Sequence, residues 1–168
     1  MLFRSGTYSL PEAQLDRFMF KMIIDYPTDK EESNILRLHR QSEEIGVQLR
    51  QLAVVTDAEE ILGAQRACTK VRVDDKVVDY IGALVRKTRQ WPEFYIGASP
   101  RAGIALLKGS RTLAAFQGRD YVTPDDVMEI LHPALRHRVI LSPEAEVEGR
   151  RIDDALSELA RTIEVPRL

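Results

Sequence analysis

Arg101 stands where a guanidinium could stabilise the charge of a phosphoryl group. It follows Ser99 and Pro100 in IGASPRAG and precedes an apolar-periodic run. Serine is a common N-cap residue and proline suits the first helical position, so Arg101 is predicted in the first turn of a helix. A helix N-terminus favours an anion, which suggests that Arg101 and the helix end both face a phosphate or carboxylate. The alternative is that Arg101 points into water or pairs with a local acid.

A second arginine, Arg17, lies in LPEAQLDRF, immediately before the apolar run FMFKMIID. This run (18–25) predicts a strand buried on both faces, as in a parallel sheet, with Arg17 at its N-terminal edge. A guanidinium there is permanently charged and could project toward another molecule. It could then stabilise the charge of a phosphoryl group during its transfer. The alternative is a surface pair between Arg17 and Asp16 or Glu12.

Most motifs of catalysis and metal binding are absent from the sequence. It contains no phosphate loop of the form GxxxxGK[ST], no dinucleotide-binding glycine pattern, no HExxH and no GxSxG. The histidines at positions 39, 132 and 137 have no ligand-like spacing with cysteines or acids, so no metal site is predicted.

The composition is that of a soluble globular protein. Of the 168 residues, 44% are apolar and 30% are charged, and the net charge is −2. This balance does not support a general nucleic-acid or membrane-surface protein, and no apolar stretch is long enough to span a membrane. We therefore expect a cytoplasmic protein with no membrane partner. Residues 1–5, MLFRS, fit nothing that follows and are interpreted as a non-native leader.

The apolar spacing is helical from Thr28 onward. Helices are predicted near 28–44, 57–69, 74–90, 99–117, 123–132 and 151–163. Capping boxes are predicted at Thr28 with Glu31 and at Thr56 with Glu59.

Three further features refine this helical pattern. In the fourth predicted helix one apolar stripe contains Ala102, Leu106, Gly109, Leu113 and Phe116. Pro133 is expected to end or kink the fifth helix, because proline lacks the amide donor. Residues 138–149 are expected to form a short hairpin or an extended turn.

Three blocks of the sequence resemble the second half of a MoxR-family AAA+ ATPase. They are GTYSLPEAQLDRFMFKMIIDYP (6–27), YIGASPRAGIALLKGSRTLAAFQGRDYVTPDDV (95–127) and LRHRVILSPEAEVEG (135–149). The resemblance implies a mainly α fold with residual strands of an α/β AAA+ core. Residues 6–27 would end the core domain, and residues 28–168 would form an all-helical lid domain.

The resemblance also implies roles for both arginines. Arg101 resembles the sensor 2 residue of the lid, which reaches the ATP phosphates of its own subunit. Ser99 and Pro100, at the same helix start, are expected to bind these phosphates with it. Arg17 resembles the arginine finger, which acts in trans on the nucleotide of a neighbouring subunit. The phosphate loop, acidic Mg²⁺ motif and sensor asparagine of a complete family member are not in this sequence. The chain alone is therefore expected to be inactive.

For the complete protein, the resemblance implies use of ATP and Mg²⁺ in a hexameric ring. Its work would be chaperone-like remodelling or maturation of protein complexes, including metal-cofactor insertion, with a von Willebrand factor A domain protein as partner. The alternative is a stand-alone helical module that binds protein or DNA without ATPase activity. Its basic cluster would be Arg136, His137 and Arg138.

Overall fold

The computed structural model describes residues 10–40, 50 and 52–167. The helices in this part of the chain are α1 (Glu12–Leu15), α2 (Asp29–Arg40), α3 (Ala58–Thr69), α4 (Asp75–Thr88), α5 (Pro100–Phe116), α6 (Pro124–Leu135), α7 (Pro143–Val147) and α8 (Ile152–Arg161). The strands are β1 (Phe94–Ile96) and β2 (Ile140–Leu141). The fold is mainly α, as predicted. The predicted leader (1–5), Gly6 and the predicted helical residues 41–44 lie outside the described residues.

The chain divides into two compact units. One spans residues 22–65 and contains α2 and most of α3, neither of which buries a residue. The predicted capping box is present at the start of α2, where the Thr28 amide donates to Glu31 Oε2 at 2.8 Å. At α3 the cap is one residue later than predicted, because Asp57 rather than Thr56 accepts a backbone amide of the first turn.

The larger unit contains the described residues up to Lys21 and those from Arg66 onward. Four of its helices, α4, α5, α6 and α8, pack around one hydrophobic core. Each contributes at least one fully buried leucine: Leu84, Leu106, Leu131 and Leu156. The predicted boundary between a core end (6–27) and a lid (28–168) stays a prediction.

The apolar run at 18–25, predicted as a strand, does not form one. A buried parallel strand needs neighbouring strands to pair its backbone, and the described residues provide only β1, β2 and an isolated bridge. The run is instead largely exposed, with Ile24 91% exposed. Its first part belongs to the larger unit, where the Lys21 amide donates to the Pro133 carbonyl at 2.9 Å.

The range predicted as the lid, 28–168, contains two short strands besides its helices. Strands β1 and β2 pair antiparallel, with Phe94 opposite Leu141 and Ile96 opposite Ile140. The hairpin or extended turn expected at 138–149 is therefore a two-residue strand followed by helix α7. Local spacing could not show this, because the partner strand lies more than forty residues earlier in the chain.

Helix α6 continues through Pro133 to Leu135, so of the expected end or kink at Pro133 the end is wrong. Its start is firm, because Thr123 and Asp126 form a capping box. A proline inside a helix removes one backbone hydrogen bond. Here Leu131, Ala134 and Leu135, on both sides of the proline, are completely buried, and this packing keeps the helix intact.

The buried face of α5 differs from the predicted stripe at its C-terminal end. Ala102, Leu106 and Gly109 are buried as predicted, but Phe116 is 81% exposed. Toward the C-terminal end, the buried residues of α5 are Ser110 and Ala114. Gly109 lies where Phe20 and Ile130 come closest to the helix.

Two glycine substitutions on α5 should change the free energy of unfolding in opposite directions. A Cβ at Gly109 would lie 2.7 Å from Ile130 Cγ2 and 2.9 Å from Phe20 Cζ. Overpacking of this kind costs about 1–3 kcal/mol, more than the gain in helix propensity of about 1 kcal/mol. A Cβ at Gly103 would meet no atom closer than 3.7 Å, so only the gain remains.

Urea denaturation, followed by the fluorescence of Trp91 in the larger unit, measures both effects. Gly109→Ala should lower the free energy of unfolding and Gly103→Ala should raise it. Equal effects of the same sign would contradict the tight packing at Gly109.

Candidate functional site: an anion-binding cleft

Arg17 and Arg101 line the same cleft. The cleft has a volume of about 360 Å³ and is also lined by Asp16, Lys108 and Arg138. Arg17 lies in the turn that follows α1, and its amide donates to the Gln14 carbonyl at 3.2 Å. Arg101 lies in the first turn of α5, as its sequence context predicts. Two positions 84 residues apart in sequence are thus brought to one surface of the larger unit.

The segment before α5 is fixed by close contacts with the end of α4. The Ala98 amide donates to Thr88 Oγ1 at 2.9 Å, and Arg89 Nε donates to the Ala98 carbonyl at 2.8 Å. A Cβ at Gly97 would lie 2.5 Å from Arg89 Cα, so only glycine allows this approach. These contacts determine where α5 begins, and therefore where Arg101 lies.

Asp16 occupies the N-terminal end of α5. The Ser99 hydroxyl donates to both carboxylate oxygens of Asp16 at 2.9 Å, and the Arg101 amide donates to Ser99 Oγ at 3.2 Å. Helix α5 has no acid in its own first turn, so Asp16 supplies the negative charge that its N-terminus favours. Arg101 Nη1 lies 3.9 Å from Asp16 Oδ2, at the outer limit of an ion pair, and the Arg101 side chain is 53% exposed.

Arg138 is the buried partner of Asp16. Its side chain is 3% exposed, and its Nε lies 3.2 Å from Asp16 Oδ1. Since a buried guanidinium needs a counter-ion, Asp16 is largely neutralised within the fold. Burial lowers the pKa of Arg138 and the charge of Asp16 raises it.

The cleft keeps an excess of positive charge on its surface. Arg17, Arg101 and Lys108 are exposed, and Lys108 lies two turns after Arg101 on α5. Within the described part of the chain, the Arg17 side chain forms no hydrogen bond or ion pair, so it does not pair with Asp16 or Glu12 as the alternative interpretation held. Three exposed cations on one surface suit a polyanion such as a chain of phosphates.

The basic cluster at 136–138 turns inward and does not form a DNA-binding surface. Arg136 pairs with Asp153 at 3.0 Å, and His137 Nε2 donates to the Phe18 carbonyl at 2.8 Å. Arg138 is buried, as described above. The cluster therefore gives no support to the alternative of a stand-alone DNA-binding module.

Comparison with known proteins shows what the chain is similar to. Residues 86–160 match the family described as AAA lid domain. The chain is 42% identical over 161 residues to the uncharacterized protein YeaC of Bacillus subtilis (strain 168), and 33% identical over 174 residues to Chaperone MoxR1 of Mycobacterium tuberculosis. A solved structure of a proposed ATPase from Cytophaga hutchinsonii matches with a TM-score of 0.86 and 30% identity, over 98% of this chain and 51% of that one. The chain fits the C-terminal part of a MoxR-family AAA+ protein.

The two sequence matches cover 96% and 97% of this chain but 49% and 44% of the relatives. The chain thus spans about half the length of these relatives. None of the helices in the described ranges has the length and apolar character to cross a membrane. Nor do the described ranges bring three or more His, Cys, Asp or Glu side chains together as metal ligands.

The roles predicted for individual residues stay predictions. Ser99 caps α5 and Pro100 is its first residue, and the Ser99 hydroxyl donates a hydrogen bond to Asp16. Sequence reasoning missed the parts of the cleft formed by Asp16, Lys108 and Arg138. The spacing of Lys108, seven residues after Arg101, could have placed it on the same helix face. No local pattern could have shown that Asp16 and Arg138 meet.

His137 is sensitive to pH because of its surroundings. Burial lowers the pKa of His137 below its ordinary value of about 6.5, and the charges of Arg138 and Lys21 act in the same direction. The hydrogen bond to the Phe18 carbonyl and the charge of Asp16 oppose this shift. Its Nδ1 is buried without a hydrogen-bond partner, so a proton added there would be poorly solvated.

The stability of the larger unit should therefore fall with acidification at His137. Because the folded pKa is depressed, the folded state binds fewer protons than the unfolded one. The contribution of His137 is present above pH about 6.5 and is lost as pH falls through the folded pKa.

Urea denaturation between pH 7.5 and pH 5 measures this effect. His137→Gln, whose amide can still donate to the Phe18 carbonyl, should show a shallower loss of stability than the wild type. His39→Gln, at an exposed position on α2, is the matched control. Identical pH profiles for the wild type and His137→Gln would contradict the assignment.

Proposed function

We propose that the complete protein is a MoxR-type AAA+ ATPase and that this chain supplies its lid and two phosphate-binding arginines. The observation that carries the proposal is the shared cleft of Arg17, Arg101 and Lys108. The match to the AAA lid domain and to MoxR-type relatives supports it. The resemblance gives Arg101 the role of sensor 2 and Arg17 the role of the arginine finger.

The shared cleft favours action of both arginines on one nucleotide. The resemblance alone implied a split, with Arg101 acting in its own subunit and Arg17 acting on a neighbour. Because Arg17 and Arg101 line one cleft of one chain, we propose that their guanidinium groups contact phosphate oxygens of the same ATP. Charge-assisted hydrogen bonds from two guanidinium groups then stabilise negative charge on the transferring phosphoryl group.

The residues of the cleft fit phosphates but not a metal ion. The one carboxylate that lines it, Asp16, already accepts hydrogen bonds from Ser99 and pairs with Arg138. Mg²⁺ would therefore be held by acids outside this chain, in line with the absence of an acidic Mg²⁺ motif from the sequence. We expect no hydrolysis from the 168-residue chain by itself.

The proposal also covers the assembly, location and work of the complete protein. It would assemble into a hexameric ring in the cytoplasm and remodel or mature protein complexes, including metal-cofactor insertion, with a von Willebrand factor A domain protein as partner. The name of the relative Chaperone MoxR1 supports the chaperone-like role. Nucleotide-driven movement of the lid would transmit free energy to the client complex.

Removing either arginine from the complete protein should abolish most ATP hydrolysis. Arg17→Ala should lower kcat by about 10³-fold, within the range for arginine fingers. Arg101→Ala should lower kcat/KM by about 10- to 100-fold, the value of a charge-assisted hydrogen bond. Arg161→Ala, at an exposed position at the end of α8, is the matched control and should stay within about twofold.

These rates are measured as phosphate release, with circular dichroism to show that each variant is folded. Near-normal rates in both Arg17→Ala and Arg101→Ala would contradict the proposed roles.

Mixing the two variants tests whether both arginines serve one nucleotide. If one chain supplies both arginines to one site, co-assembled Arg17→Ala and Arg101→Ala subunits contain no complete site, and activity should stay low. If the arginines serve different sites, some interfaces in the mixed ring are complete, and activity should return. Mixing each variant with the wild type shows that subunits exchange.

A further inference from the structure

Arg138 is bonded mainly to the backbone of the turn that carries Arg17. Its Nη2 donates to the carbonyls of Phe18 at 2.7 Å and Asp16 at 3.2 Å. Its Nη1 donates to the Ala134 carbonyl on α6 at 2.8 Å, with a longer contact of 3.4 Å to the Met19 carbonyl. One buried guanidinium thus binds carbonyls on both sides of Arg17 and connects them to α6.

The neighbours of Arg138 reinforce this attachment. His137 binds the Phe18 carbonyl, and the Lys21 amide is bound by the Pro133 carbonyl. The Phe20 side chain packs against the core beside Gly109. Residues 16–21 form no strand, so these contacts take the place of a sheet in holding their backbone.

In the described part of the chain, the Arg138 side chain forms no hydrogen bond with the start of α5. Within the described residues, all its hydrogen bonds go to the turn at 16–19 and to α6. Arg101 is connected to the turn by Asp16, through Ser99 and the 3.9 Å contact. Loss of the Arg138 contacts should therefore displace Arg17 more than Arg101.

We propose that Arg138 is a positioning residue for Arg17. By binding the carbonyls of the turn, it fixes the Arg17 backbone to the lid, so that Arg17 and Arg101 face one cleft and move together. This inference rests on the proposed function, in which Arg17 acts on a phosphoryl group. A fixed position is what such a guanidinium needs, since a displacement of about 1 Å can cost about 100-fold in rate.

Only arginine can make this set of contacts. Its planar fork presents five donors in fixed directions, whereas a lysine ammonium is a compact charge with three donors. Arg138→Lys therefore keeps a counter-ion for Asp16 but loses part of the attachment of the turn. Arg150 offers a matched control, because it is a bidentate arginine bound to Glu93 at 2.9 and 3.0 Å and does not line the cleft.

A double-mutant cycle in the complete protein tests the proposal. Single-turnover ATP hydrolysis is compared for the wild type, Arg138→Lys, Arg17→Ala and the double variant. If Arg138 acts through Arg17, Arg138→Lys should lower the rate about tenfold or more when Arg17 is present and should have no effect on the Arg17→Ala background. Arg150→Lys should stay within about twofold on both backgrounds.

The outcomes separate the inference from the proposed function. An equal loss from Arg138→Lys on both backgrounds, or a rate unchanged by Arg138→Lys, would overturn the positioning role and leave the function standing. A normal rate in Arg17→Ala itself would overturn the proposed function. If the rate of Arg17→Ala is too low to detect, Arg17→Lys replaces it in the cycle. The positioning role would then be overturned if the rate losses of the two single variants multiply in the double variant.

Discussion

The buried guanidinium of Arg138 is the constraint on which the site depends. A charge that is 3% exposed is stable only when its donors are bonded and a counter-ion is near. Asp16 supplies the counter-ion, and the carbonyls of the turn at 16–19 and of Ala134 supply the acceptors. Satisfying this one charge therefore fixes the segment before Met22 to the larger unit. Asp16 in turn holds the start of α5 through its hydrogen bond from Ser99. Arg17 and Arg101 are therefore both positioned by one connected set of hydrogen bonds and ion pairs.

The helices could be predicted from sequence because their causes are local. Capping residues such as Thr28, Asp74 and Thr123 begin helices where propensity and apolar spacing also favour them. Each of the larger predicted helices is present to within a few residues in the described part of the chain. The short strands β1 and β2 could not be predicted, because each is defined by a partner distant in sequence.

The strand predicted at 18–25 shows the limit of reasoning from apolar runs. A continuous apolar run indicates that something covers it, but it does not identify what pairs its backbone. Here side chains from 136–138 pair the first carbonyls of the run, and no strand forms. The same contacts explain why the basic cluster could not be interpreted from sequence. Its charges satisfy the backbone of a distant turn, and they are not directed at a ligand.

The candidate site could be predicted in part. Arg101 can be identified from its helix start, and Arg17 from its place before the apolar run at 18–25, but their proximity depends on tertiary contacts. Determining the complete protein with a non-hydrolysable ATP analogue bound, by crystallography or cryo-electron microscopy, tests this proximity most directly. We predict that Arg17 and Arg101 of one subunit both lie within hydrogen-bond distance of phosphate oxygens of the same nucleotide. Arginines that reach two different nucleotides, or a cleft that contacts no phosphate, would contradict the account.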